Sequence, residues 1–322
     1  MPEVAPNSVS LAGVLPCGLA RADFDWKVQM AFTTLVIGST GTVGGTVVPE
    51  VLARGGKVRA LVRRKVRDQQ LPDGVELHVG DLTDERSVRE ALEGVQAAFY
   101  VSPHVEQEVE IAETFVAACE AAGVRLVFGG FHIVDPAARA AFTQMVPSYE
   151  GKLKVGEIIS ESDTNPVVLD LTNFAQNDEP FREDILAGVY PMPLHHDGAN
   201  RIDLRDSGEI AAKILLDSKF PAGWIGLSGA EAVNGQQSAD LWAEELGRPV
   251  RYLGDDTEAW HAAFAKRLTG HKLTDWISSF EFLSRQPIPT DQARVEATTE
   301  LLGRAPRSYR DYVRDMAKQW QA

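Results

Sequence analysis

The segment Thr34-Leu-Val-Ile-Gly38-Ser-Thr-Gly41-Thr-Val-Gly44-Gly-Thr-Val-Val48 leads an apolar strand into a helix through three glycines spaced three residues apart. Such a turn is built to hold a nucleotide pyrophosphate. Gly38 can take the backbone angles of a sharp strand exit, Gly41 has no Cβ to block a phosphate, and Gly44 lets the helix lie close to the sheet. Ser39, Thr40, Thr42 and Val43 complete the loop, and the free N–H groups at the helix start face the negative ligand. The competing reading is a plain structural turn. The context favours a cofactor, because Leu35 to Ile37 enter the turn and Val47, Val48, Val51 and Leu52 leave it at helical spacing. No Lys-Ser/Thr pair closes the motif, which excludes a phosphate loop of the ATPase type.

Beyond this turn the chain alternates in the manner of a parallel sheet with crossover helices, which predicts a doubly wound α/β fold. Short apolar runs at Thr34–Ile37, Lys57–Val62, Val75–Val79, Ala97–Val101, Arg125–Phe128 and Val167–Leu171 read as its strands. Helices fill the gaps. Ser87–Leu92 forms one after the Asp81-Leu-Thr-Asp84 turn, and Ile111, Phe115 and Cys119 line one face of another, making Cys119 a buried packing residue. Pro180, Pro191, Pro193 and His195-His-Asp-Gly198 interrupt the alternation from about residue 178. The chain thus divides into a nucleotide-binding domain at 31–178 and a smaller, mainly helical substrate or lid region at 179–322. Residues 201–216 return to the first as a strand, Arg201–Arg205, and a helix, Ser207–Leu216. A strand at Trp224–Leu227, a helix at Gly235–Leu246 and a strand at Val250–Leu253 follow.

Composition narrows the function. With 322 residues, 44% of them apolar, the chain can bury a large core, and its net charge of −14 disfavours nucleic acid as a partner. Only Cys17 and Cys119 are present, which suits a reducing cytoplasm rather than a disulfide framework. No apolar run approaches the roughly 20 residues that span a bilayer, so no membrane partner is expected. Residues 1–30 read as a disordered extension, or, since Met30 directly precedes the first strand, as the product of an upstream start. Glu3 and the lack of Lys or Arg before Arg21 exclude a secretory signal.

The cofactor is chosen at the end of the second strand, where a carboxylate selects NAD and basic residues accommodate the 2′-phosphate of NADP. Here Val62 is followed by Arg63, Arg64 and Lys65. Arg63 suits a phosphate and Arg64 can assist, so NADP(H) is preferred, with NAD(H) as the alternative and a solvated basic cluster as the bland account. Asp81 and Leu82 end the third strand where they can meet an adenine, although Asp81 can equally cap the next helix. Ser102 and Pro103 end the fourth strand at the ligand-binding edge.

These segments, together with Phe99-Tyr-Val-Ser-Pro103, Asn173-Phe-Ala-Gln-Asn177 and Asp203-Leu-Arg-Asp206, resemble the NmrA-like family of atypical short-chain dehydrogenases/reductases over about residues 33–320. The resemblance implies a Rossmann domain binding NAD(P) and a C-terminal region closing its cleft. It also implies either a reductase of quinones and other small molecules or a catalytically silent redox sensor acting through a protein partner. The Tyr-x-x-x-Lys pair of typical short-chain dehydrogenases is absent: Tyr149 has no lysine four residues on, and Phe128-Gly-Gly-Phe-His132 lacks the usual serine. NmrA-like proteins commonly place a lysine shortly before a glutamate near this helix start, a position that Lys152 or Lys154 matches before Glu157. His132 and Tyr149 are read either as proton donors or as ordinary loop residues. Phe174 either packs on a nicotinamide or belongs to the core. No metal site is expected, since the adjacent side chains of His195 and His196 should diverge. Trp224, Trp242, Trp260, Trp276 and Trp320, with Phe264, Phe280 and Phe282, read by default as core. Arg310, Arg314 and Lys318 read as a solvated stripe.

The reading is therefore an NADPH-dependent reductase of a small quinone-like or carbonyl substrate, with the sensor as its alternative.

Overall fold

The computed structural model describes residues 32–63, 71–133 and 136–322. The segment 1–30 and Arg64 and Lys65, to which the sequence gives roles, lie outside them. Strands β1 (Thr33–Val36), β2 (Lys57–Val62), β3 (Val75–Val79), β4 (Ala97–Tyr100), β5 (Arg125–Gly130) and β6 (Val167–Asp170) form the expected parallel sheet. Between them lie the helices α1 (Gly44–Ala53), α2 (Glu85–Leu92), α3 (Glu108–Ala122), α4 (Pro136–Met145) and α5 (Tyr149–Ser160). After β6 come β7 (Asn173–Phe174), α6 (Arg182–Leu186), β8 (Val189–Tyr190), β9 (Ala199–Ile202), α7 (Leu204–Leu216), β10 (Gly223–Gly226) and β11 (Ala232–Val233). The chain ends with α8 (Gly235–Leu246), β12 (Arg251–Tyr252), α9 (Thr257–Arg267), α10 (Gly270–Arg285), α11 (Gln292–Leu302) and α12 (Tyr309–Gln321).

The main sheet runs β10-β6-β5-β4-β1-β2-β3. Its chain order reverses between β1 and β4, and ligands of open α/β sheets bind in the crevice that such a reversal opens at the carboxyl ends of the strands. Alternation along each strand fills both faces. Val36, Phe99, Val127 and Leu169 point to the side of α1 and α7, while Leu35, Ile37, Tyr100, Phe128 and Val168 point to the side of α3 and α5. Cys119 is fully buried on the second side, as its helical spacing predicted.

Two expectations change. The helix returning to the core is α7, where Gly208 approaches the Thr46 carbonyl so closely that an added Cβ would lie 2.6 Å from it. The strand before it stops at Ile202 because Asp203 caps α7, and it pairs with β7 and β11 in a separate small sheet. Trp224 belongs to β10 and hence to the main sheet, not to the C-terminal core. That core gathers Trp242, Trp260, Phe264, Phe280 and Trp320 around Phe181, Tyr190, Tyr309 and Tyr312. At its centre Arg201 donates to Asp178 at 2.7 Å, both side chains fully buried, and Trp242, Tyr190 and Tyr309 also donate to that carboxylate. A buried charge survives only with such partners. On α12, Arg310 pairs with Glu244 and Arg314 with Asp311 at the surface.

Candidate functional site

The glycine turn follows β1 at the carboxyl edge. Gly38 has φ +70°, a conformation that favours glycine, and its carbonyl accepts the Gly41 amide at 2.8 Å. A Cβ on Gly44 would stand 2.5 Å from that same carbonyl oxygen, so the helix start and the strand exit are in direct backbone contact. Gly41, with Thr40 and Thr42 beside it, is exposed instead. Helix α1, which follows Val43, has no side-chain cap, as is also true of α3, α5, α6 and α10, and no acidic residue in its first turn, whereas α2, α7, α8, α9, α11 and α12 are each capped by a side chain. Within its first turn Gly45 donates its amide to the Gly41 carbonyl at 2.9 Å and Thr46 to that of Val43 at 3.1 Å, so an anion suits the turn amides ahead of them. Ser39 Oγ is buried within the turn and has no hydrogen-bond partner among the described residues. Uncapped amides, an unpartnered hydroxyl and an open glycine fit a dinucleotide pyrophosphate.

The neighbouring strand ends add to this edge. Arg63 is exposed directly after β2, and no carboxylate stands there. Asp81, after β3, accepts from the Thr83 amide at 2.9 Å and the Thr83 hydroxyl at 2.8 Å, bonds that hold its carboxyl below the usual range, with the Arg63 charge acting in the same direction. The cap of α2 is Asp84, so Asp81 does not serve that purpose. Its own amide is taken up by Ser87, and Leu82 is half-buried beside it.

Past β4, Ser102 Oγ donates at 2.6 Å to Glu108, a buried carboxylate at the start of α3. Lys152 Nζ donates to the same oxygen at 3.2 Å from α5. Lys154 is exposed and pairs with Glu157 at 3.4 Å, so the fold brings Lys152 and not Lys154 to Ser102. Pro103 is half-buried next to Ser102. Glu108 was not singled out from the sequence, because a glutamate at a helix start reads as ordinary end charge.

His132 follows β5 and stacks on Trp224 at 3.9 Å, with its amide donating to Asp170 at 2.9 Å. Burial, then the Arg139 charge, pushes its imidazole below the ordinary value, which depletes the proton-donating form at neutral pH. Tyr149 packs edge-on against Phe131 and Phe142 and bonds to Ser279 of α10; burial raises its phenol. Phe174 is half-buried against the α7 side of the sheet core, and its carbonyl accepts from Arg201. Neither His132 nor Tyr149 shares a hydrogen bond with the Ser102–Glu108–Lys152 group.

Residues 30–270 match the NmrA-like family. The chain belongs to this family. It is 25% identical over 284 residues to an NAD(P)H azoreductase of Xenophilus azovorans, covering 87% of this chain and 96% of the relative. The fold is similar to an NADPH-dependent quinone oxidoreductase of Escherichia coli complexed with NADPH, at a TM-score of 0.72 and 19% identity, covering 88% and 99% of the two chains. It is equally similar to NmrA, a negative transcriptional regulator in complex with NADP, at a TM-score of 0.73 and 17% identity, covering 91% and 100%.

The two narrower NmrA-like segments meet in space. Gln176 donates to Asp203 at 2.8 Å and accepts from the Leu204 amide at 2.9 Å, tying the chain after β6 to the start of α7. Asp206 is buried against Arg304 and Arg307. Both carboxylates are thus structural.

Helix α10 begins where the family match ends and packs against residues that follow β4 and β5. Asp275 bonds to His104, Ser279 to Tyr149, and Phe282 packs edge-on to Phe142 at 4.9 Å. The rings of His195 and His196 lie 4.1 Å apart, correcting the expectation that they diverge, and their ligand atoms and those of Asp197 lie within 4.8 Å of one another. His195 Nδ1 is used by the Asp197 amide at 3.2 Å, and His196 and Asp197 are exposed. Among the described residues no helix is long and apolar enough to cross a membrane.

Proposed function

We propose that this protein is an NADPH-dependent reductase of a small quinone-like or carbonyl acceptor, working in the cytoplasm. The observation that carries this reading is the uncapped, glycine-lined start of α1 with the orphaned Ser39 hydroxyl, set at the carboxyl edge beside Arg63. Gly38, Ser39, Thr40, Gly41, Thr42, Val43 and Gly44 would hold the pyrophosphate, Arg63 the 2′-phosphate, and Leu82 the adenine side. Ser102, Pro103 and Phe174 would line the path of the nicotinamide. Bound NADPH supplies a hydride to the acceptor. The charge left on a reduced oxygen or nitrogen is met by the Lys152 ammonium, which can stabilise it or give it a proton. Quinone-like acceptors need little acid catalysis, in keeping with the absent Tyr-x-x-x-Lys pair. A relative that reduces azo compounds and a similarly folded quinone oxidoreductase support the assignment.

The test is NADPH consumption across a panel of quinones, carbonyls and azo dyes, run in parallel with NADH. Steady oxidation with a preference for NADPH is expected. Tight binding that depends on the cofactor's oxidation state, without consumption by any acceptor, would overturn the reductase and favour the sensor that acts on a protein partner.

A further inference from the structure

We propose that Glu108 is the positioning residue of this site and that Gly151 is the device that admits it. The inference rests on the reductase reading in assigning Lys152 to the acceptor. Three separate elements converge here: Ser102 from the end of β4, Glu108 from the start of α3 and Lys152 from the first turn of α5. The carboxylate side chain is 7% exposed and that of Lys152 is 20% exposed, so the pair is anchored at its acidic end and open at its basic end. An ammonium has three N–H donors. One is given to Glu108, which fixes the direction in which the others point.

A lysine held only by its own flexible chain would lose much rotamer freedom on meeting an acceptor. Lys154, two residues on, shows that alternative, with an exposed amine paired to Glu157 on its own helix. The carboxylate of Glu108 reaches Lys152 by pressing onto the backbone of α5 at Gly151. A Cβ built there would lie 2.4 Å from Glu108 Oε1 and 3.1 Å from its carboxyl carbon. Any larger residue at 151 must displace the carboxylate. Gly151 does not have a positive φ, so its backbone conformation does not call for glycine. The space taken by Glu108 does.

Two variants separate positioning from folding. Glu108→Gln keeps an acceptor for Ser102 but removes the charge, and Gly151→Ala keeps the charge but moves it, while alanine favours the helix. Each should lower kcat with NADPH and a quinone by about 10- to 100-fold with KM little changed, the cost of misplacing a reacting group by roughly an ångström. In a Lys152→Met background the same changes should alter kcat by less than about twofold, since a residue acting through Lys152 has nothing left to position. A second readout needs neither cofactor nor turnover. The rate at which an amine-reactive acylating reagent labels Lys152, measured by peptide mass relative to Lys154, should rise about tenfold in both variants, the scale of one lost charge-assisted hydrogen bond.

Unchanged labelling, or equal kcat losses with and without Lys152, would overturn the proposal. Faster labelling in a protein that reduces no acceptor would uphold the positioning of Lys152 and refute the reductase reading instead. Should Glu108→Gln fail to fold, Gly151→Ala decides alone by the same two measurements.

Discussion

Replacing the turn glycines one at a time should separate the two tasks of the phosphate cradle. A Cβ on Gly44 would meet the Gly38 carbonyl oxygen at 2.5 Å and the Ile37 carbonyl oxygen at 2.7 Å, both rigid backbone. A Cβ on Gly41 meets only the Gly38 carbonyl oxygen, at 3.2 Å, and otherwise projects into the open mouth of the turn. Gly44→Ala therefore forces strand and helix apart, an overpacking cost of about 1–3 kcal/mol or more. Gly41→Ala asks for a shift of a few tenths of an ångström, about 0.5 kcal/mol, and so about 1 °C or less in Tm for a chain of this size. Its effect falls on the ligand. A methyl group where the pyrophosphate approaches removes at least one charge-assisted bond worth about 1.5–3 kcal/mol, or roughly 10- to 150-fold in Kd. Thermal unfolding without ligand and titration calorimetry with NADP⁺ measure the two effects independently. A folded Gly41→Ala protein that binds NADP⁺ within twofold of the wild type would refute the cradle, whatever happens at Gly44.

Three further outcomes follow from named residues. Arg63→Ala should weaken NADPH binding by roughly 10- to 150-fold and leave NADH little changed, and equal losses for the two cofactors would remove Arg63 from the 2′-phosphate. Asp178→Ala strands the fully buried Arg201 charge and should cost about 3–5 kcal/mol in denaturant unfolding, much of which Asp178→Leu combined with Arg201→Met should restore. A single substitution with little effect on the unfolding midpoint would show the pair to be dispensable. Burial raises the Asp170 carboxyl to about 6 against the opposing pull of Arg294. The native state therefore holds an extra proton between pH 4 and 6, and this group's stabilising contribution, on the order of 3 kcal/mol, is present below pH 4 and lost as pH rises through 6. The difference between wild-type and Asp170→Asn stability should accordingly fall with pH across that window; a rising difference would mean that Arg294 outweighs burial.

The central parallel strands were legible because a strand buried on both faces leaves an unbroken apolar run, and β4 and β6, buried at every position, lie within the runs Ala97–Val101 and Val167–Leu171. Glycine spacing was legible for a related reason, since backbone contact at Gly44 admits no other residue. Charged residues in the interior were not. Arg201 and Asp178 lie 23 residues apart and only the fold pairs them, and the strand expected at Arg201–Arg205 lies at Ala199–Ile202, because the Asp203 side chain accepts the Arg205 amide and starts α7. Glu108 and Lys152 are 44 residues apart, and no local pattern links them. Gly151 carried a signal that it shares with Gly156 of the same helix, a glycine inside a helix without a turn to explain it.

The same contrast separates the two sides of the cleft. On the side of β1 to β3 the shape is set by backbone, through the turn at Gly38 and the uncapped start of α1, so side chains there can vary with little effect on a pyrophosphate. On the side of β4 to β6 the shape is set by side chains that meet across the cleft. His104 meets Asp275, Tyr149 meets Ser279, and Phe142 meets Phe282, with every second partner drawn from α10. The family match ends at residue 270, where α10 begins. A cradle fixed by backbone tolerates exchange of its side chains, whereas a wall built from side-chain contacts changes with them. Under the proposed reductase function, acceptor choice is expected to lie with the α10 face and its three partners.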